Sequence, residues 1–185
     1  VSSVGGRANA YTNEDATVYW NTVPSQYLPL VLWMEADRLG SLRIDEQTFI
    51  NERDVVKEER RMRVDNQPFG NLNELLYKAA FTTHPYKNPV IGSMADLDAA
   101  TIDDVRAFFN TFYIPANATV VIAGDFDVAE TKDLVTRYFG RIPAGAGKVP
   151  REITPEPVPS AEKRLTLDES WPLPAVVVSY HITSD

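Results

Sequence analysis

Residues 45–64 read DEQTFINERDVVKEERRMRV, and no Gly or Pro follows until Pro68. Asp45 is a good N-cap type, so this stretch predicts a long helix running to about Val64. On a wheel of about 100° per residue, Arg53, Lys57, Arg60, Arg61, Asp54, Glu58 and Asn51 share one arc, which reads as solvated. Phe49, Val55, Val56 and Met62 share the opposite arc, which reads as core-facing. Glu52 and Glu59 fall inside the apolar arc, two turns apart. A buried carboxylate is costly unless it is paired or ligates a metal. Either an arginine such as Arg38 or Arg63 neutralises the two acids, or they belong to a metal or acid/base site. Glu58 lies on the solvated side and is the weaker member of the Glu58-Glu59 pair.

Working outward, residues 8–12 (ANAYT) and 16–23 (ATVYWNTV) are strand-like and are joined by the turn residues Asn13-Glu14-Asp15, which predicts a hairpin. Helical spacing runs from Ser25 to Gly40, and again over about 71–82. His84-Pro85-Tyr86 opens a loop reaching Gly92. Thr101-Ile102-Asp103-Asp104 resembles a capping box ahead of a helix to Tyr113. Residues 118–123 (ATVVIA) read as a buried strand, and Gly124-Asp125 turns the chain into a helix ending at Gly140. Pro143, Pro150, Pro155, Pro157 and Pro159 then mark an extended linker. Two further strands are predicted over 164–168 and 175–182, separated by Trp171-Pro172-Leu173-Pro174. Two strands alone make no stable domain. This order predicts an α+β fold, a mainly antiparallel sheet with helices packed on one face. The expected organisation is the greater part of one domain over 1–142, a linker over 143–160, and the opening strands of a second, similar domain over 161–185.

The 185 residues suit one domain, or one domain and part of another. There is no cysteine, which excludes disulfides, thiolate-bound metal and a thiol nucleophile. The compartment stays open, since cysteine-free chains occur on both sides of the redox divide. Acidic residues outnumber basic ones by 26 to 18, for a net charge of −8, which argues against nucleic acid as the partner. No apolar run approaches the length of about 20 residues that spans a bilayer. Gly124-Asp125 is a strand-to-helix turn rather than a phosphate loop, because no G-x-G-x-x-G surrounds it. His84 reads as a structural part of the HPY turn, and His181 as exposed or paired.

The series as a whole resembles the insulinase/pitrilysin family, which includes mitochondrial processing peptidase. The resemblance rests on GRANAYT (6–12), MEADR (34–38), ERDVVKEE (52–59), HPY (84–86) with Ile91-Gly92, YIPANA (113–118), AGDFD (123–127) and YFGRIP (138–143), in that order along nearly the whole chain. It implies a zinc peptidase of the H-x-x-E-H type. It also implies that Glu59 is the distal zinc ligand, that Glu52 is a supporting acid, and that Asn9, Ala10, Tyr11 and Thr12 form an edge strand. An extended peptide substrate would pair with that strand through main-chain hydrogen bonds. In the intact parent, zinc would acidify a bound water and polarise the scissile carbonyl.

H-x-x-E-H itself is absent, and the two histidines, His84 and His181, lack the spacing. In the family that motif lies upstream of the segment matching Asn9, so the simplest account is a chain that begins after it. Catalytic zinc needs three protein ligands and an open position. The chain by itself is therefore expected neither to hold catalytic zinc nor to cleave peptides. The resemblance implies a second similar domain or a partner subunit, and bacterial members are often exported. The alternative from another class is a non-catalytic partner or core subunit of the same family, acting in peptide binding or assembly.

Overall fold

A computed structural model describes residues 1–145, 147, 149–168 and 173–182. The chain divides into two compact units, Val1–Thr48 with Ala100–Pro150, and Phe49–Ala99 with Arg151–Asp185. The fold is α+β, rich in helix with a small antiparallel sheet.

In the first unit, β1 (Arg7–Thr12) and β2 (Thr17–Thr22) form the predicted hairpin, in the register Arg7↔Thr22 to Thr12↔Thr17. Asn13 closes the turn. Its side-chain oxygen accepts the N–H groups of Asp15 at 3.0 Å and Ala16 at 2.8 Å, the local bonding that suits Asn to turns. Helix α1 (Leu28–Ser41) follows a short 3-10 turn at Ser25–Tyr27 and packs against α6 (Val128–Phe139). Leu32 and Ala36 of α1 and Thr131 of α6 are buried. Leu32 and Ala36 stand four residues apart, the spacing of one helix face. Helix α5 (Ile102–Phe112) begins with the expected capping box. Thr101 Oγ1 accepts the Asp104 N–H at 3.3 Å, and the Asp104 carboxylate accepts the Thr101 N–H at 2.9 Å. Those bonds, led by the one from the Thr101 hydroxyl, hold the Asp104 carboxyl below its ordinary pKa.

Asp45 caps α2 (Glu46–Arg60) as expected, accepting the Thr48 N–H at 3.0 Å. In the second unit, α2 continues as a π-helical turn over Arg61–Asp65. Gly70 then passes so close that a Cβ there would meet the Val64 carbonyl oxygen at 2.2 Å, which requires glycine. Helix α3 (Leu72–Ala80) and a short α4 (Met94–Ala99) complete the helices. Sequence periodicity does not reveal α4, a turn and a half capped at its N-terminus: Ser93 Oγ accepts the Asp96 N–H at 3.1 Å, and the Asp96 carboxylate accepts the Ser93 hydroxyl at 2.7 Å.

Three expectations need correction. Residues 118–123, 164–168 and 175–182 are not strands, and among the described residues the sheet holds β1 and β2 alone. A strand exists only where a neighbour takes up its main-chain bonds, and among the described residues these segments have none. Val121, Val176 and Ile182 accordingly lie open, at 83%, 93% and 86% exposure. The three tryptophans read from sequence as core or linker packing, but Trp20 and Trp33 are exposed, while Trp171 and Pro172 lie outside the described residues.

The third correction concerns α2. Three cations of the arc that reads as solvated are the ones drawn inward, while Asn51, Asp54, Glu58 and Arg61 of the same arc stay exposed. Arg60 is 8% exposed, and Arg53 and Lys57 are half-buried. Val55 and Met62, on the supposed core face, are exposed. The cause is charge complementarity. Arg60 bonds Glu74 of α3 through both guanidinium nitrogens, at 2.6 and 3.0 Å, and also the Gly92 carbonyl at 2.7 Å. Lys57 pairs with Asp98 of α4. The Glu74 hydrogen bonds hold Arg60 protonated beyond the ordinary arginine range, against the cost of desolvation. Long cationic side chains also cover apolar surface with their stems.

Candidate metal and substrate site

Glu52 and Glu59 share one face of α2, about 10 Å apart along its axis at the helical rise of 1.5 Å per residue. Their burial differs from the expectation. Glu52 is exposed and Glu59 half-exposed, beside the open side chains of Val55 and Met62. Neither carboxylate therefore bears a burial cost that would demand a metal. Arg63, one turn on, binds Glu59 Oε1 at 2.7 Å. Arg38 instead pairs with Glu35 of its own helix at 3.5 Å.

Among the described residues no three His, Cys, Asp or Glu side chains gather as a metal cluster. One carboxylate already paired with arginine, and no histidine beside it, does not amount to the three-ligand set of catalytic zinc. The described residues do not by themselves make up that set.

Asn9, Ala10, Tyr11 and Thr12 all lie exposed on β1, in the other unit. The Asn13 N–H donates to the Ala16 carbonyl at 2.9 Å, which fixes the alternation of the ladder. In an antiparallel pair, bonded and non-bonded positions alternate. Arg7, Asn9 and Tyr11 therefore bond β2, while Ala8, Ala10 and Thr12 turn their main-chain groups outward. The outward Ala10 N–H is held by Asn9 Oδ1 at 2.8 Å. An edge strand with unpaired donors invites another strand, and Asn9 occupies the central donor in the absence of one.

The hairpin is bolted to helices of its own unit from the face opposite Asn9 and Trp20. Asn21 Nδ2 donates to Glu35 Oε1 at 2.7 Å, and the Tyr19 and Tyr113 hydroxyls meet at 2.8 Å. The Arg38 guanidinium lies 4.6 Å above the centre of the Tyr19 ring. Desolvation and the Tyr113 hydroxyl together push the Tyr19 phenol well above its ordinary pKa. Tyr19 pairs with Ala10 and Asn21 with Ala8, so both bolts sit directly behind the outward-facing residues. Sequence reasoning misses this network, because its members lie far apart along the chain.

Comparison with known proteins agrees with this fold. Residues 1–94 match the family described as Insulinase (Peptidase family M16), and residues 99–185 match the Peptidase M16 inactive domain. The chain belongs to the insulinase family, peptidase family M16. It is similar to the zinc protease PqqE of Helicobacter pylori, with 37% identity over 139 residues, covering 75% of this chain and 31% of that protein. A crystal structure of a protease from Helicobacter pylori matches with a TM-score of 0.81 and 34% identity, over 84% of this chain and 38% of that one. The ferredoxin protease FusC, solved in complex with Arabidopsis ferredoxin, matches with a TM-score of 0.72 and 25% identity, over 82% of this chain and 17% of that one. The chain thus spans about a third of the length of the curated relative. Among the described residues no helix is long and apolar enough to cross a membrane.

Proposed function

We propose that this chain is part of a zinc metalloendopeptidase that hydrolyses extended peptides. In this reading Glu59 is the distal metal ligand, Glu52 supports it, and Asn9 to Thr12 hold the substrate main chain. The H-x-x-E-H ligands and base come from residues outside this chain, and the chain alone is inactive. One observation carries the proposal: among the described residues β1 has a free outer edge, backed by the Tyr19 and Asn21 contacts, with outward main-chain groups at Ala8, Ala10 and Thr12. Such an edge binds a peptide by its extended shape more than by its sequence. FusC, one of the similar structures, was solved with a protein, ferredoxin, bound to it. The organisation that goes with it is a first peptidase domain to residue 142, a linker over 143–160, and a second similar domain opening at 161.

The test restores the upstream coding segment and measures bound zinc and cleavage of an unstructured peptide. One zinc per chain with cleavage supports the peptidase reading. Absence of both, with no rescue by a partner subunit, supports the second reading, a non-catalytic binding or assembly subunit. That alternative is favoured by the match of residues 99–185 to the inactive domain type.

The edge strand yields its own prediction. The Ala10 N–H is not part of the β1–β2 ladder, so Ala10→Pro removes an outward donor while sparing the hairpin, as proline at an edge does. In the extended chain, peptide cleavage should fall about tenfold or more, the equivalent of one main-chain hydrogen bond and the obstruction of the ring. Circular dichroism should show an unchanged fold. Undiminished cleavage would remove β1 from substrate binding.

A further inference from the structure

A second set of outward main-chain donors is already occupied. Thr82, Thr83 and His84 follow the end of α3 and point three successive N–H groups at one carboxylate, that of Glu156. Its Oε1 accepts the Thr82 N–H at 2.7 Å and the Thr82 hydroxyl at 2.6 Å. Its Oε2 accepts the N–H groups of Thr83 at 2.8 Å and His84 at 2.9 Å, with the Thr83 hydroxyl at 3.0 Å. Successive main-chain N–H groups turned to one point form an anion-binding concavity. Glu156 is presented to it between Pro155 and Pro157, whose fixed φ reduces the entropy lost on binding. Desolvation opposes the charge, but the His84 N–H and the Thr82 donors outweigh it and hold the carboxyl far below its usual pKa.

The chain beyond this segment is fastened to the same helix end at two further points. The last carbonyls of a helix lack partners within it. Here Lys163 Nζ donates to the Ala79 carbonyl at 2.8 Å, and His181 Nε2 lies 3.1 Å from that of Ala80. The His181 ring also stacks on Phe81, with centres 5.3 Å apart. A cation at a helix C-terminus is favoured by the dipole.

We infer that the Thr82–His84 loop is a carboxylate-recognition site whose resident ligand is Glu156, and that this clasp straps the proline-rich segment to the C-terminal end of α3. The strap is a separate device from the edge strand and from Glu59. It rests on no metal and on no peptidase activity.

The test is amide hydrogen exchange on the full chain, with Glu156→Ala and Glu156→Gln beside the unaltered protein. The Thr82, Thr83 and His84 amides should exchange about tenfold faster or more in Glu156→Ala, since a charge-assisted bond contributes at least that factor. Glu156→Gln, which keeps the shape and loses the charge, should fall between. Amides of α1 and α6 in the other unit should not change, which separates release of the strap from general unfolding. Acetate should slow the three amides again in Glu156→Ala, where chloride at equal ionic strength does not. Equal exchange in all three proteins would overturn the inference, and so would acetate acting no better than chloride.

Discussion

Glu59→Gln in the upstream-extended chain is expected to abolish stoichiometric zinc and to lower peptide cleavage by at least about a hundredfold. Replacing a group that only orients a metal ligand already costs about 10–100-fold in affinity or activity. Loss of a ligand itself therefore lies at or above the top of that range. The carboxamide keeps the size and the helix but removes the charge that offsets a divalent cation. Glu52→Gln, at a supporting position, should cost less, about tenfold. Arg63→Ala makes the contrast sharper. Arg63 holds Glu59 in an exposed pair one turn apart, and such pairs contribute only about 0.3–0.5 kcal/mol. Freeing the carboxylate should leave zinc content equal or higher. Zinc retained in Glu59→Gln would refute the assignment of Glu59, and zinc lost in Arg63→Ala would show that the pair supports the site rather than competes for it.

The sequence made the local signals legible and the long-range ones illegible. Asp45, Thr101 and Asn13 announce two helix starts and a hairpin turn through short-range side-chain bonds, and all three act where expected. Residues 118–123 and 175–182 carry strand composition. Composition supplies no partner, and without one no ladder forms. The wheel singles out Glu59 on a burial argument that its half-exposed side chain does not support, and Asn9 stands out through the resemblance alone, since an edge asparagine is common. Glu156 carries no local signal at all: its meaning comes from a loop more than seventy positions earlier in the chain.

The helix that decided the reading also misled it, and Arg60 shows why. The wheel equates apolar with buried. That holds only when the neighbouring elements are apolar, and α2 meets Glu74 and Asp98 instead. Arg60→Met, close in volume and better suited to an ordinary core, should therefore destabilise the protein by about 3 kcal/mol, because it leaves the Glu74 carboxylate without its partner in a largely buried place. For a chain of this length that is a fall in midpoint temperature of about 6–12 °C. Arg60→Lys should recover only part of the loss, since an ammonium cannot span both carboxylate oxygens and the Gly92 carbonyl as the guanidinium fork does. The double variant Arg60→Met with Glu74→Leu removes both charges together. Its cost should be well below that of Arg60→Met alone, because replacing a buried pair by apolar groups is often neutral while breaking it is not. Urea unfolding of the four proteins measures all three comparisons. A cost below about 1 kcal/mol for Arg60→Met would mean that the pair is no stronger than an exposed one, and that the cationic face of α2 is held by its aliphatic stems and not by its charge.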